Sequence, residues 1–396
     1  MLGTVLKRAG GLGLGTALGQ GAVLLATPWL VRLYGPANFG MLALLITATN
    51  ISIAVGCARF DLALPSADDV DAPTLLRLCA LIAGAAGLLV AIIAALLAFV
   101  GAVGGIANHP FQLGLCVLFG ANFQAASSMM LRRGHIRAMA ALRGGQGLAF
   151  VVLALFPSIG LMWAQALSYA PGCLILAAML ARHRHGPSLA ATAARYRSFA
   201  LLGLPGAILD VVGYSLCIWI VTYAYGTEGS GAFSQVQRIV GAPLMLVSIS
   251  LGQILLRDTA VLRDDLPKVQ LLLKRLLMML AGSACAALIV VAAVGEPVLG
   301  WLFGSQWRIS AAFIVGISAA VFIRASISPI SAVLATFQRF DLALRWQVLY
   351  FVSAATLFGL ASRMLTLDGF AAFYAVHEII LYLIYLRVIM TVFRKA

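Results

Sequence analysis

Arg59, Asp61, Asp210, Arg238, Arg324 and Glu378 lie inside, or at the edge of, stretches that are otherwise almost wholly apolar. In lipid an ionised side chain costs about 2.5–3.5 kcal/mol on insertion scales, so it normally faces an interior cavity or a partner of opposite charge. Two chemistries fit these residue types. Guanidinium forks hold phosphate oxygens bidentately, and more strongly where water is scarce. Carboxylates in the same setting neutralise the arginines, or take up a proton or sodium ion. Arg59 and Asp61, in "VGCARFDLALP" (55–65), stand at i and i+2. On a helix they would not face each other, so a private ion pair is not expected. Arg59 should sit about a turn inside the inner end of its stretch, where it either meets a ligand or snorkels to lipid phosphates. Arg238 and Arg324 are too deep to snorkel, which leaves a structural ion pair or a ligand contact. Asp210 and Glu378, the latter beside His377, are either their partners or cation sites.

The elements that must carry these groups follow from composition. The chain has 396 residues, 62% apolar and only 10% charged, whereas soluble domains carry roughly 25% charged residues. About 20 apolar residues cross the hydrocarbon core as a helix. Twelve stretches qualify, roughly 10–33, 39–62, 75–100, 111–131, 138–156, 160–181, 199–224, 231–256, 271–294, 310–336, 343–362 and 369–391. The gaps hold turn formers such as "YGPANFG" and "YGTEGSG". The longest outer gap, 295–309, carries Trp301 and Trp307, residues suited to the membrane interface. The first stretch is too long for a signal-peptide core and reads as an uncleaved span.

With twelve spans both termini share one side, and 22 of the 27 Lys and Arg residues fall there, from Lys7 and Arg8 to Arg394 and Lys395. Only Arg32, Arg308 and Arg363 fall opposite. The positive-inside rule then makes both termini cytoplasmic. The net charge of +14 thus reflects topology, and nucleic acid is not an expected partner. Spans 1 and 2 with their turn resemble spans 7 and 8 with theirs. The expected fold class is an all-α integral membrane protein of about twelve transmembrane helices. They would form two six-helix lobes, 1–181 and 199–396, joined by a cytoplasmic linker, 182–198, and related by a pseudo-two-fold axis along the membrane normal. A cleft between such lobes is the expected binding place, with spans 1, 2, 7 and 8 lining it.

Enzyme signatures fail individually. There is no GxxxxGK[ST] and only four lysines, so ATP hydrolysis is not expected. Gly11, Gly15 and Gly19 lie on one helix face and point to close helix packing. "DDVD" (68–71) has a metal-binding spacing but reads as a solvated loop, and "RHRH" (182–185) as a basic loop that sets topology. The six cysteines sit in apolar runs as packing residues. No metal and no cofactor is expected, coupling to protons or sodium aside.

Several segments resemble a known family. "LVRLYGPANFGMLAL" (30–44), "ARFDLALPSADD" (58–69), "LLGLPGAILD" (201–210), "GAFSQVQRIVGAPLMLVSISLGQIL" (231–255) and "VLGWLFGSQWRISAAF" (298–313) resemble, in order, bacterial oligosaccharide flippases of the O-antigen type. These form the polysaccharide-transporter branch of the MATE-like exporter superfamily. The resemblance implies a flippase of the bacterial inner membrane, working by alternating access in surface polysaccharide and lipopolysaccharide biosynthesis. It would move an undecaprenyl-diphosphate-linked oligosaccharide from the cytoplasmic to the periplasmic leaflet. Membrane lipids and other polysaccharide assembly proteins are the further partners implied. Arg59 matches the family's R-aromatic-acid motif, Arg238 with Gln237 and Pro243 a QR…P motif, and Arg32 with Tyr34 an R-x-Y-G-P motif. The implied substrate-binding set is therefore Arg32, Arg59, Gln237 and Arg238, to which the physical reading adds Arg324. Asp61 stands where the family more often has glutamate. Asp61, Asp210 and Glu378 are the candidates for ion coupling. The alternative is a proton- or sodium-coupled small-molecule exporter on the same scaffold. A membrane glycan polymerase or ligase would need a large charged outer loop, which this sequence lacks.

Overall fold

Long runs of leucine, alanine, isoleucine and valine must close their own backbone hydrogen bonds in lipid, and a helix does so within each run. The computed structural model describes residues 2–396 except 102–104, 182–185, 263–264, 305, 308, 338 and 395–396. Within the helices, the side chains of residues 2–17, of Asp210 and of scattered other positions, most of them between 202 and 261, are outside that description. The "RHRH" tract is therefore outside it as well. Among the described residues there is no strand, and ten helices are long and apolar enough to cross a membrane.

Two of the ten are broken by a single glycine. Leu18–Gly56 leaves helical geometry at Gly35 (φ 70°, ψ 173°), and Arg197–Leu244 does so at Gly226 (φ 76°, ψ −179°). That backbone region is essentially open to glycine alone. The breaks divide the two helices into spans 1 and 2 and spans 7 and 8, so the fold has twelve spans. The others are Ala72–Val100, Pro110–Arg132, Ile136–Ala154 and Gly160–Ala181 (spans 3–6), and Leu266–Phe303, Ala311–Leu334, Asp341–Met364 and Leu367–Phe393 (spans 9–12). A tyrosine precedes each breaking glycine and fastens the joint in the same way. Tyr34 donates its hydroxyl to the Ala154 carbonyl at 2.7 Å, where span 5 ends. Tyr225 donates to the Leu365 carbonyl at 2.9 Å, just past span 11. The two halves thus repeat one device at matching places.

Several helix starts are capped as their sequences direct. Ser310 accepts from the Phe313 amide at 3.1 Å and Thr366 from the Gly369 amide at 3.3 Å, each satisfying an amide that the helix itself leaves open.

The chain packs as two compact units, residues 1–34 with 38–215, and 35–37 with 216–396. In the first, small residues let backbones touch. A side chain at Gly147 would come within 2.5 Å of the Gly19 carbonyl, and one at Gly87 within 2.8 Å of the Gly114 carbonyl. Gly19 therefore packs closely, as its spacing predicts. The core below gathers Phe60, Leu64, Leu75, Leu76 and Met129 around the buried thiols of Cys57 and Cys79. In the second unit, spans 10 and 12 meet where Gly316 faces the Ala371 carbonyl, and an aromatic group of Trp346, Tyr382 and Tyr385 fills the far end. Span 9 buries none of its most apolar window and presents Met278, Met279, Ile289 and Val290 outward.

Three local expectations are corrected. Span 2 ends at Gly56 rather than near residue 62, because Ala58 (φ 45°) and Arg59 (φ 63°) turn left-handed and stop the helix. Trp307 is buried against Phe303, ring centroids 4.9 Å apart, whereas Trp301 is exposed as an interface residue should be. Cys285 is exposed rather than packed inside.

Candidate functional site

The second unit holds a charged cluster within two of its apolar spans. Arg324 projects from span 10 and Glu378 from span 12. Nη2 of Arg324 stands 2.9 Å from Oε2 of Glu378. The same nitrogen donates to the Tyr350 hydroxyl at 2.7 Å, and Tyr350 donates onward to Oε1 of Glu378 at 2.7 Å. The guanidinium also lies over the Tyr350 and Tyr382 rings, 5.7 and 5.8 Å from their centroids. Its fork is thereby aimed at the carboxylate by contacts on its flat faces. Glu378 has no exposed surface, whereas 23% of the Arg324 side chain is exposed. The carboxylate is thus sealed, while part of the arginine side chain keeps exposed surface.

Span 11 supplies Tyr350 and Ser353, and the next five residues, Ala354–Phe358, form a π-helical turn. Such single-turn bulges recur at functional sites. Ser353 donates its hydroxyl to the Tyr350 carbonyl at 3.1 Å, and its oxygen lies 3.1 Å from Nε2 of His377. The ring of His377 packs edge-on to Phe358 at 4.4 Å. Its Nδ1 is buried without a hydrogen-bond partner, 3.7 Å from Oε1 of Glu378. On the neighbouring span 8, Gln237 directs its amide at the Tyr374 hydroxyl, 3.5 Å away.

The first unit contains the other basic candidate. Arg59 occupies the left-handed turn after span 2, with its stem 3.6 Å from where a side chain at Gly203 would begin. Its Nε is buried and has no hydrogen-bond partner. Asp61, only 4% exposed, lies two residues on. Burial raises its carboxyl above the usual range, while the charge of Arg59 and the Gln124 amide pull it back. The hexapeptide Arg-Phe-Asp-Leu-Ala-Leu occurs a second time, at 339–344. There Arg339 grips Asp341 with two bonds of 3.0 Å, and the aspartate is exposed. The same six residues therefore make an ordinary surface pair in one place and a separated, buried arrangement in the other. What differs between the two copies is the backbone, left-handed at Arg59 (φ 63°) and not at Arg339 (φ −90°).

The acidic loop 68–71 is solvated at Asp68, Asp69 and Val70, as expected, and is also tied down by ion pairs, with Asp71 buried. Arg195 reaches Asp68 at 2.5 Å and Asp71 at 2.7 Å, and Arg132 reaches Asp69 at 2.5 Å. Arg132 also donates to the Leu64 and Ala67 carbonyls, and Tyr196 donates to Asp71 at 3.2 Å. The carboxylates are neutralised by arginine. Among the described residues no cluster of His, Cys, Asp or Glu is arranged to hold a metal.

Arg32 is exposed and Arg238 is half-buried. The side chain of Asp210 lies outside the described residues. The sequence reading located Arg324 and Glu378 and left their pairing open. It missed Tyr350, Tyr382 and Ser353, whose only signal is a run of aromatic and hydroxyl residues at helical spacing along spans 11 and 12.

Comparison with known proteins extends this picture. The family model described as "Polysaccharide biosynthesis protein" matches residues 29–312. No curated protein matches the sequence. Among solved structures, the lipid II flippase MurJ in an inward closed conformation superposes with a TM-score of 0.76 at 11% identity, covering 97% of this chain and 89% of that one. An inward-facing multidrug-resistance MATE transporter of the MOP superfamily gives 0.64 at 14% identity, over 97% and 94% of the two chains. The Vibrio cholerae MATE transporter VcmN in its bent form gives 0.60 at 12% identity, over 99% and 98%. The chain is thus a multi-pass membrane protein that belongs to the polysaccharide biosynthesis protein family and is built on the fold of the MOP-superfamily transporters.

Proposed function

We propose that this protein is a flippase that moves a polyprenyl-diphosphate-linked oligosaccharide from the cytoplasmic to the periplasmic leaflet of the bacterial inner membrane. The observation that carries this reading is the family match over residues 29–312. The fold shared with a lipid II flippase supports it. A sugar chain drawn through hydrocarbon strands many hydroxyls, each costing several kcal/mol without a partner. A polar cleft between two lobes, 1–181 and 199–396, would supply partners while the prenyl tail stays in lipid, and alternating access would change the leaflet that the headgroup faces. No covalent step is needed, so the protein acts as a transporter rather than an enzyme.

In this reading Arg59, Arg238 and Arg324 meet the diphosphate and inner sugars, with Arg32 and Gln237 contributing along the same path. Asp61, Asp210 and Glu378 are the groups through which a proton or sodium gradient would act. Reconstitution in vesicles with a fluorescent lipid-linked oligosaccharide tests the assignment. Arg59→Ala and Arg238→Ala should each slow leaflet transfer at least tenfold, and unchanged transfer in both would remove these residues from the path. The shared fold with multidrug MATE transporters favours one other reading, a cation-coupled exporter of small molecules. Uptake of a free cationic drug by the same vesicles, with no movement of the lipid, would select it.

A further inference from the structure

The His377–Glu378 contact contains an unmet acceptor. Ser353 spends its hydroxyl proton on the Tyr350 carbonyl, so its oxygen accepts from His377, which places the imidazole hydrogen on Nε2. Nδ1 is then a bare lone pair. It faces Oε1 of a carboxylate, also an acceptor, at 3.7 Å. That separation is too long for a hydrogen bond, and Nδ1 has no other partner although His377 is only 5% exposed. Two acceptors directed at each other in a dry site define a place for one proton.

Arg324 determines when that place fills. At present it neutralises Glu378, and the pair carries no net charge. An anion that engaged Arg324, whose side chain is 23% exposed, would draw it off the carboxylate. Glu378, wholly buried, could not remain charged without a partner and would neutralise by protonation. Its new O–H would then donate to the idle Nδ1 of His377. We propose that Arg324, Glu378 and His377 form an exchange site in which a phosphoryl anion binds Arg324 together with one proton held between Glu378 and His377. Charge balances throughout: one negative phosphoryl oxygen and one proton enter, and both leave when the salt bridge closes again. The groups facing Glu378 are Arg324 from span 10, Tyr350 from span 11, Cys217 from span 7, and His377 and Tyr374 on span 12, whose Tyr382 lies against Arg324.

The inference rests on the flippase reading for the chemistry of the anion, and the test separates the two. Farnesyl diphosphate serves as the probe, and its affinity for the purified protein in nanodiscs is measured from pH 6 to pH 8. In the parent protein the affinity should rise as pH falls, more steeply than in Glu378→Gln by up to about tenfold per pH unit, the slope that one linked proton gives. His377→Leu keeps the salt bridge and removes the acceptor, so its tightening should move to lower pH. Should Glu378→Gln fail to fold, the paired variant Arg324→Met/Glu378→Met removes both charges together, and it should bind the probe more weakly with the slope of the ligand alone. Equal slopes in the parent and a Glu378 variant would overturn the exchange site and leave the flippase reading standing. No binding by the parent at any pH would overturn both.

Discussion

One pair of residues shows how strongly local geometry decides chemistry. Arg339 and Asp341 share their hexapeptide with Arg59 and Asp61, yet only the former pair closes on itself. No reading of i, i+2 spacing could separate these outcomes, because the decisive feature is the left-handed backbone at Ala58 and Arg59. Nothing in the side-chain chemistry of the segment announces that turn. For Asp61 the consequence is measurable. Burial raises its carboxyl in the folded state, so its contribution to stability is full below the ordinary carboxylate pKa of about 4 and is lost as pH rises through the elevated folded value. Asp61→Asn never carries the charge. In detergent it should unfold at a higher temperature than the parent at pH 7.5, with the gap closing toward pH 4. A constant gap across that range would show that the carboxylate is not charged at a cost.

At the scale of elements, most of the fold is legible, for a plain physical reason. A span must bury about twenty apolar residues, and a signal of that length survives errors of a few positions at each end. The joints are a different matter. "YGPANFG" and "YGTEGSG" read as turns, but each proves to be a single glycine interrupting a helix, secured by the tyrosine before it. A side chain at Gly226 would meet no atom within 4 Å, so Gly226→Ala isolates the backbone cost. It should destabilise the protein by about 1–3 kcal/mol, the strain of that dihedral region. Tyr225→Phe removes one hydrogen bond and should cost about 1 kcal/mol. Thermal unfolding of the two variants checks the ranking, and a neutral Gly226→Ala would mean that spans 7 and 8 can join another way. The π-helical turn in span 11 was equally hidden. It is a matter of hydrogen-bond register, and it depends on what the helix must present to span 12 rather than on its own residues.

For the whole molecule, orientation is the property on which direction of transport depends. The sequence places 22 of 27 basic residues on the side that holds both termini, and moving them across the membrane would be opposed at every short loop. The same asymmetry would act on cargo, since each Lys or Arg near a surface attracts anionic headgroups by about 1 kcal/mol. A diphosphate-linked lipid made in the cytoplasm would therefore meet the basic face first, near the turn that carries Arg59. Alkaline phosphatase fused after Asn108, between spans 3 and 4, should be active, because that gap is expected outside. The same enzyme fused after Gly134, between spans 4 and 5, should be inactive, and a fluorescent protein at the C-terminus should mature and fluoresce. The reverse pattern would turn the Arg59 segment toward the periplasm. The arginines would then face the product side, and a flippase loading from the cytoplasm could not use them to capture its substrate.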